Sequence, residues 1–215
     1  MPVRILLADD HAILRQGLRR ILESYPGFAV VAEAGTGLEA VRLAEQERPD
    51  VAVVDIAMKE LNGVEATAQI RKASPSTAVL ILSMHRDESY VIRSVRAGAS
   101  GYILKDSVED ELIQAIHAVQ KKGHFFSPAI AALVREGCSR ARKPDAAADR
   151  YELLTRTEKV VYQMIAEGNS NKEIGARLNT SVHTVETHRA HIMEKMALHS
   201  VTELVLSAVR RGLVR

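Results

Sequence analysis

The sequence predicts an α/β fold, a doubly wound five-stranded parallel sheet, followed by a smaller all-α domain. Five short apolar runs recur in the first half of the chain at intervals of roughly 20–25 residues, which leaves room for a helix in each gap. The segments between them repeat apolar residues every three to four positions, as amphipathic helices do. After residue 150 no strand pattern appears, and helix-capping residues recur instead. Strands that alternate with helices and connect right-handedly form a parallel sheet.

The five predicted strands are the runs VRILLADD, FAVVAEA, DVAVVDIAM, AVLILSM and GYILKD. The third run is apolar from residue 51 to residue 54 without polar alternation, which is typical of a strand buried on both faces. The predicted helices between and after the strands are ILRQGLRRIL, LEAVRLAEQ, GVEATAQIRKA, YVIRSVRAG and ELIQAIHAVQKK. Ser127 and Pro128 then predict the start of one more short helix.

The composition divides the chain into three parts, a domain over residues 1–127, a short helix and linker over 128–150, and a helical domain over 151–215. The linker CSRARKPDAAADR is charged and alanine-rich without an apolar period. The first part carries 15 Lys/Arg against 17 Asp/Glu, whereas residues 128–215 carry 14 against 10. The basic excess of the second half is a weak indication of a polyanionic partner.

Cysteine content and hydropathy exclude several classes of protein. The single cysteine, Cys138, cannot form an internal disulfide and fits a reducing compartment. No apolar run approaches the length needed to cross a membrane, and the apolar N-terminal stretch meets Asp9 too early for a signal peptide. We therefore expect a cytoplasmic protein without a membrane partner.

Polar residues with complementary chemistry follow four of the predicted strands: Asp9 and Asp10, then Asp55, Ser83 and Lys105. In an open parallel sheet, ligands bind beyond the carboxyl ends of the strands. Three carboxylates at one such edge repel one another unless a hard cation such as Mg²⁺ binds them. The lysine and the serine hydroxyl can donate to a tetrahedral anion. Together these residues predict that Asp55 accepts a phosphoryl group, although each alone could be a helix cap, a turn residue or a solvated lysine.

On these motifs residues 1–127 resemble the receiver domain of bacterial response regulators, which has a flavodoxin-like fold. The resemblance implies that Asp55 is phosphorylated and that Lys105 senses the phosphoryl group. It implies three Mg²⁺ ligands, namely Asp10, Asp55 and the backbone carbonyl of Ala57, with Asp9 acting through water. It also implies that Ser83 and Tyr102 form a switch pair, while the alternative that Tyr102 is a half-buried strand aromatic stays open. Lys59 stands where the family usually has proline, which leaves the stiffness of this loop open.

Two enzyme classes compete with this interpretation. A haloacid-dehalogenase-type phosphatase also uses a strand-end aspartate, a hydroxyl and a lysine, but it needs a second acid where this chain has Ala57. A dinucleotide-binding fold could use the segment GTGLEA, Gly35 to Ala40. That glycine pattern is short, follows the second strand, and leaves Lys105 and the acidic pair without a role.

The capping residues place four helices in the second domain. Three candidate capping boxes pair Thr155 with Glu158, Ser170 with Glu173, and Ser200 with Glu203. With Ser181 as a further cap, they predict helices at about 156–167, 171–178, 182–196 and 201–211. The second and third of these, joined by a short turn, form a candidate helix-turn-helix.

A helical wheel of the third helix separates an inward face from an outward face. The inward residues are Val182, Val185, Ile192 and Met196, and the outward residues are His183, Thr187, Ala190, His191 and Glu194. Arg189 falls on the inward side, so that its cationic head could only reach out along its stem. An ordinary helical bundle with a solvated polar face would show the same pattern.

The segment LTRTEKVVYQMIAEGNSNKEIGARLNTSVHTVETHRAHIMEKM resembles the LuxR-type DNA-binding domain, and both halves together are similar to the NarL/FixJ class of response regulators. The resemblance implies that Ser181 to Met196 enters the major groove. Two departures are Thr157, where arginine is usual, and Glu186, where lysine is frequent. Glu186 either repels DNA or reads a cytosine amino group. The implied contacts are Glu186, Thr187 and Ala190 near bases, and Lys172, Thr184, His188 and Lys195 near phosphates.

The resemblance implies a regulator and not an enzyme, whose only catalysis is its own phosphoryl transfer and dephosphorylation. Its expected partners are a sensor histidine kinase, DNA with paired half-sites, and a second copy of the chain when phosphorylated. The alternative is a constitutive DNA binder that works without phosphate.

Overall fold

The computed structural model describes residues 1–84, 86–128, 130–132, 134 and 150–214. The chain divides into two compact units at about residue 143. Most of the expected linker, including Cys138, lies outside the described residues.

The first unit contains a parallel sheet with strand order β2-β1-β3-β4-β5-β6. This order reverses direction next to β1, as in a doubly wound sheet. The strands are β1 Val3–Ala8, β2 Phe28–Ala34, β3 Val51–Asp55, β4 Ala78–Ser83, β5 Gly101–Leu104 and β6 Phe125–Phe126. Strands β3 and β4 are buried at every residue, because helices cover both faces of the sheet.

Five helices accompany the strands: α1 Ala12–Glu23, α2 Gly37–Glu47, α3 Gly63–Ala73, α4 Glu88–Arg96 and α5 Val108–Gln120. Alternate strand residues such as Leu7, Val53 and Leu82 pack with Leu18 of α1 and Ile116 of α5 in one apolar core. The α/β class with a parallel sheet, predicted from the sequence, is therefore confirmed.

The sheet has six strands where five were predicted. The additional strand β6 pairs in parallel with β5, placing Phe125 beside Gly101 and Phe126 beside Tyr102. A two-residue strand is too short to produce a recognisable hydrophobic period, and this explains why the sequence pattern missed it. Directly after β6, the carbonyl of Ser127 accepts from the backbone N–H groups of Ile130 and Ala131, as at the start of a helix.

The second unit is helical in its described residues. A 3₁₀ turn over Arg150–Leu153 precedes α6 Arg156–Ala166, α7 Asn171–Arg177, α8 Val182–Met196 and α9 Val201–Arg210. The ring of Tyr151 in the 3₁₀ turn packs edge-on against Tyr162 of α6, with centroids 5.5 Å apart, and lies beneath the cations of Lys159 and Arg211. No helix in the described ranges is long and apolar enough to span a bilayer.

Two of the three predicted capping boxes are complete. Thr155 with Glu158 and Ser170 with Glu173 exchange both hydrogen bonds. At the third, the Ser200 hydroxyl accepts from the backbone N–H of Glu203, but the Glu203 carboxylate accepts from the backbone of His199 at 2.7 Å. The Ser200 cap was therefore predicted correctly. The reciprocal bond was not, because the Glu203 carboxylate accepts from His199, one residue before Ser200.

Candidate functional site

Strand register brings the predicted site residues to one edge of the sheet. Ala8 pairs with Val54, so Asp9 leaves β1 level with Asp55 at the end of β3. On the other side, Asp55 pairs with Leu82, so Ser83 follows one position later on β4. Ser83 pairs in turn with Leu104, so Lys105 leaves β5 at the same edge.

The ammonium group of Lys105 links two of the carboxylates. Its Nζ lies 2.8 Å from Asp9 Oδ2 and 3.0 Å from Asp55 Oδ2. Both carboxylates are almost completely buried, with about 3% of each side chain exposed. Buried carboxylates need such a partner, because desolvation penalises an unpaired charge.

Asp10 and His11 complete an acidic cluster around Asp55. One ligand atom from each of Asp9, Asp10, His11 and Asp55 lies within 4.8 Å of all the others. His11 Nδ1 lies 2.9 Å from Asp10 Oδ1, and the His11 backbone N–H donates to Asp9 Oδ1 at 2.8 Å.

The cluster fits a hard divalent cation. Asp10 Oδ1 and Asp55 Oδ2 are buried and accept no hydrogen bond within the described part of the chain, although a nitrogen lies within 3.0 Å of each. Carboxylate oxygens with spare lone pairs are the donors that Mg²⁺ prefers.

Burial raises the pKa of the Asp55 carboxyl above its ordinary value, and Lys105 opposes that effect. The negative charge of Asp9 raises it further, while the positive charge of Lys105 and a hydrogen bond from the backbone of Ala57 lower it. Ala57 is therefore placed beside Asp55 through its N–H group, whereas the ligand role of its carbonyl stays a prediction.

Ser83 and Tyr102 lie together. The Tyr102 side chain is fully buried on β5, and its hydroxyl forms a hydrogen bond with the hydroxyl of Ser83, which is also buried. Burial raises the pKa of Tyr102 to about 12 despite the Ser83 hydrogen bond. The phenol is thus neutral at physiological pH. Tyr102 is thus more deeply buried than the half-buried strand aromatic of the alternative interpretation, and its role in a switch pair stays a prediction.

Two residues that the sequence interpretation missed shape the loop after Asp55. The Asn62 side chain accepts from the backbone N–H groups of Val64 and Glu65 and caps α3. A Cβ at Gly63 would lie 2.0 Å from the carbonyl oxygen of Asp55, so only glycine allows the helix to start there. An Asn-Gly pair before a helical period was the available sequence signal.

In the second unit, the predicted DNA-contact residues differ in exposure. The exposed residues are Lys172, Thr184, Glu186, Thr187 and Ala190, and His188 and Lys195 are half-buried. Val185, Ile192 and Met196 are buried as predicted, but Val182 is 43% exposed, because it lies in the first turn of α8.

Lys195 is held by a residue that the sequence analysis treated only as a cap. Its Nζ lies 2.8 and 2.7 Å from the two carboxylate oxygens of Glu158, which is buried. Burial alone would raise the pKa of Glu158. Hydrogen bonds from Lys195 and from Thr155 outweigh that effect and leave the pKa below its ordinary value.

Comparison with known proteins matches two families to two separate parts of the chain. Residues 5–117 match the family described as the response regulator receiver domain, and residues 152–208 match the bacterial regulatory proteins of the luxR family.

Relatives align with nearly the whole chain. The transcriptional regulatory protein DegU of Brevibacillus brevis is 37% identical, over 99% of this chain and 95% of its own length. The oxygen regulatory protein NreC of Staphylococcus carnosus is also 37% identical, over 99% of both chains.

A solved LuxR-family two-component response regulator from an Aurantimonas species is 41% identical, with a TM-score of 0.61, over 65% of this chain and 99% of its own. Since both halves and full-length relatives agree, the chain belongs to the NarL/FixJ family of two-component response regulators, with a receiver domain and a LuxR-type helix-turn-helix DNA-binding domain.

Proposed function

We propose that Asp55 accepts a phosphoryl group from a sensor histidine kinase, and that phosphorylation controls transcription by promoting a dimer that binds paired half-sites on DNA. The observation that carries this proposal is the contact of a buried Asp55 carboxylate with Lys105 inside an acidic cluster. The assigned domain limits are 1–127 for the receiver, 128–150 for the short helix and linker, and 151–215 for the DNA-binding domain. The proposed location is the cytoplasm.

The proposed transfer is a substitution at phosphorus. A carboxylate oxygen of Asp55 attacks the phosphorus of a phosphohistidine, the P–N bond breaks, and the imidazole leaves with its electron pair. Mg²⁺ bound by Asp10, Asp55 and the Ala57 carbonyl, with Asp9 through water, would neutralise charge on the phosphoryl oxygens.

The proposed response begins at the residues that touch Asp55 or lie beside it. The ammonium of Lys105 is already 3.0 Å from Asp55 Oδ2 and pairs with a phosphoryl oxygen after transfer. A second phosphoryl oxygen competes with Tyr102 for the Ser83 hydroxyl. Since Ser83 and Tyr102 are hydrogen bonded, a change at one is communicated to the other.

The proposed DNA contacts follow the helix-turn-helix geometry of α7 and α8. Helix α8 enters the major groove, where Glu186, Thr187 and Ala190 lie near bases. Lys172, Thr184 and His188 lie near phosphates, as does Lys195 if its pair with Glu158 opens.

Phosphate-affinity electrophoresis after incubation with a small acyl phosphate and Mg²⁺ tests the acceptor. We expect a retarded band for the wild type and none for Asp55→Asn. Asp50→Asn is the matched control, because asparagine keeps the acceptor for the Arg4 backbone N–H that Asp50 provides. A retarded band in Asp55→Asn would refute the assignment. Equal DNA binding with and without phosphorylation would favour the constitutive alternative.

A further inference from the structure

An open cavity of about 500 Å³ lies beside the recognition helix α8. Its polar lining includes Asn169, Asn171 and Lys172 around the start of α7, and Glu186 and Arg189 from α8. The sequence pattern placed Arg189 on the inward face of α8. In the structure its side chain is half-exposed and borders this cavity, because the start of α7 leaves a gap there.

The two cations of the cavity are unpaired. Neither Lys172 nor Arg189 forms a hydrogen bond or an ion pair with another residue among those the structure describes. Arg189 can therefore bind an anion without first breaking an ion pair. A guanidinium, an ammonium and two side-chain amides at one concave surface are the donor set that binds phosphate oxygens.

Lys195, in contrast to Arg189 and Lys172, forms an ion pair. Its ammonium is bound to both oxygens of Glu158, and withdrawing it leaves a buried carboxylate with only the imidazole of His191, 3.9 Å from Oε1, as a basic neighbour among the described residues. Breaking a buried pair in this way is strongly unfavourable. Lys195 is thus a costly source of positive charge for DNA, although it lies on the same helix as Arg189.

We propose that Arg189 and Lys172 together bind the phosphodiester backbone that flanks the groove entered by α8, and that Arg189, not Lys195, is the main phosphate contact from this helix. The inference rests on the proposed DNA-binding function and adds Arg189 to the residues that contact phosphate. Glu186 lines the same cavity, and its carboxylate repels phosphate, so it reduces the attraction that the two cations provide.

Salt dependence of DNA binding tests the proposal, because each phosphate contact adds about one unit to the slope of log affinity against log salt. The probe is a fluorescent duplex selected from a random-sequence pool by the full-length wild-type protein. We expect Arg189→Gln and Lys172→Gln each to reduce the slope by about one unit. Arg189→Lys keeps the charge and should keep the slope. Glu186→Gln should tighten binding at low salt.

Lys195→Gln is the contrasting variant. It should reduce the salt slope by less than Arg189→Gln does, and it should lower the thermal transition of the second unit, because Glu158 loses its ion-pair partner. An unchanged slope in Arg189→Gln, with far-UV circular dichroism showing a folded protein, would overturn the inference while leaving DNA binding intact. A reduced slope in Lys195→Gln alone would overturn it too. A wild type that selects no duplex would overturn the proposed function and this inference with it.

Discussion

Gly63 is the residue whose replacement should disturb the phosphoacceptor site without removing any charged group. A Cβ there would lie 2.0 Å from the Asp55 carbonyl oxygen and 2.9 Å from Ile56 Cα, and backbone atoms cannot move aside as a flexible side chain can. We expect Gly63→Ala to lower the free energy of unfolding of the receiver by about 2–4 kcal/mol and to slow phosphorylation of Asp55. Urea unfolding and phosphate-affinity electrophoresis measure the two effects.

Gly17 provides the matched control within the same unit. It lies inside α1, and a Cβ there meets no atom within 4 Å. Gly17→Ala should therefore raise the free energy of unfolding by about 0.5–1 kcal/mol, because alanine is the better helix former. Equal stability of the two alanine variants would refute the packing argument for Gly63.

The charged residues of the receiver were found from the sequence, whereas the residues that shape their surroundings were missed. Asp9, Asp55 and Lys105 each follow an apolar run, and the geometry of parallel sheets brings such positions together. Gly63 approaches backbone atoms of residues seven and eight positions earlier in the chain. Such a contact produces no hydrophobic period in the sequence. The pair of Glu158 and Lys195 spans two helices, and a cap pattern gives no hint of the second partner.

Helix α8 ends in a conformation that favours glycine, although alanine occupies it. Ala197 has φ 51° and closes the helix with its N–H donating to the carbonyl of Glu194. The left-handed conformation costs a residue with a Cβ roughly 1–2 kcal/mol. Glycine avoids this cost but loses more backbone entropy on folding, which offsets part of the gain. We expect Ala197→Gly to raise the thermal transition of the second unit by an amount equivalent to about 0.5–1 kcal/mol.

Gly168 supplies the reverse substitution after α6. It has φ +86°, and a Cβ there would meet nothing within 4 Å, so Gly168→Ala adds backbone strain without a steric clash. The thermal transition of the second unit in Gly168→Ala should fall by an amount equivalent to about 1 kcal/mol of stability. If the thermal transitions of Ala197→Gly and Gly168→Ala shifted in the same direction, the left-handed conformation would not be the cause of the shifts.

The contact between α6 and α8 through Glu158 should give the second unit a pH-dependent stability. The pKa of Glu158 is lowered in the folded state, so the carboxylate stabilises the fold above its ordinary pKa of 4.5 and loses that effect as pH falls through the folded value. We expect Glu158→Gln to destabilise the unit at pH 7 by roughly 2–3 kcal/mol. The difference from the wild type should narrow below pH 4.5. A difference that stays constant down to acid pH would exclude the ionised carboxylate as its source.

Elements were predicted where a hydrophobic period is long enough to detect. The helices α1 to α9, which the described residues form, lie close to their expected positions. The two-residue strand β6 was missed, and its pairing with β5 joins Phe126 to Tyr102. Val182 was misassigned because a helical wheel treats every turn as equally covered, whereas Val182 begins α8 and is 43% exposed.

The chain as a whole combines an acidic site in one unit with a helical second unit of the LuxR type. Under the proposed function, a signal passes from Asp55 to DNA. Lys105 is the residue through which phosphorylation and response can be separated. Its ammonium contacts Asp9 and Asp55 in the structure, and after transfer it would pair with the phosphoryl group. Phosphorylation itself needs the nucleophile and the metal site, whereas the response needs a group that distinguishes phosphorylated from free Asp55.

We therefore expect Lys105→Ala to accept phosphate from a small acyl phosphate but to dimerise poorly. Losing one charge-assisted hydrogen bond of about 1.5–3 kcal/mol corresponds to a roughly tenfold to hundredfold weaker shift toward the dimer. Phosphate-affinity electrophoresis gives the phosphorylated fraction, and light scattering of the same sample shows whether the mass doubles from the 23.6 kDa of one chain. Lys121→Ala, at an exposed lysine outside the site, should dimerise like the wild type. A fully phosphorylated Lys105→Ala that dimerised normally would assign the sensing of phosphate to Ser83 and Tyr102 alone.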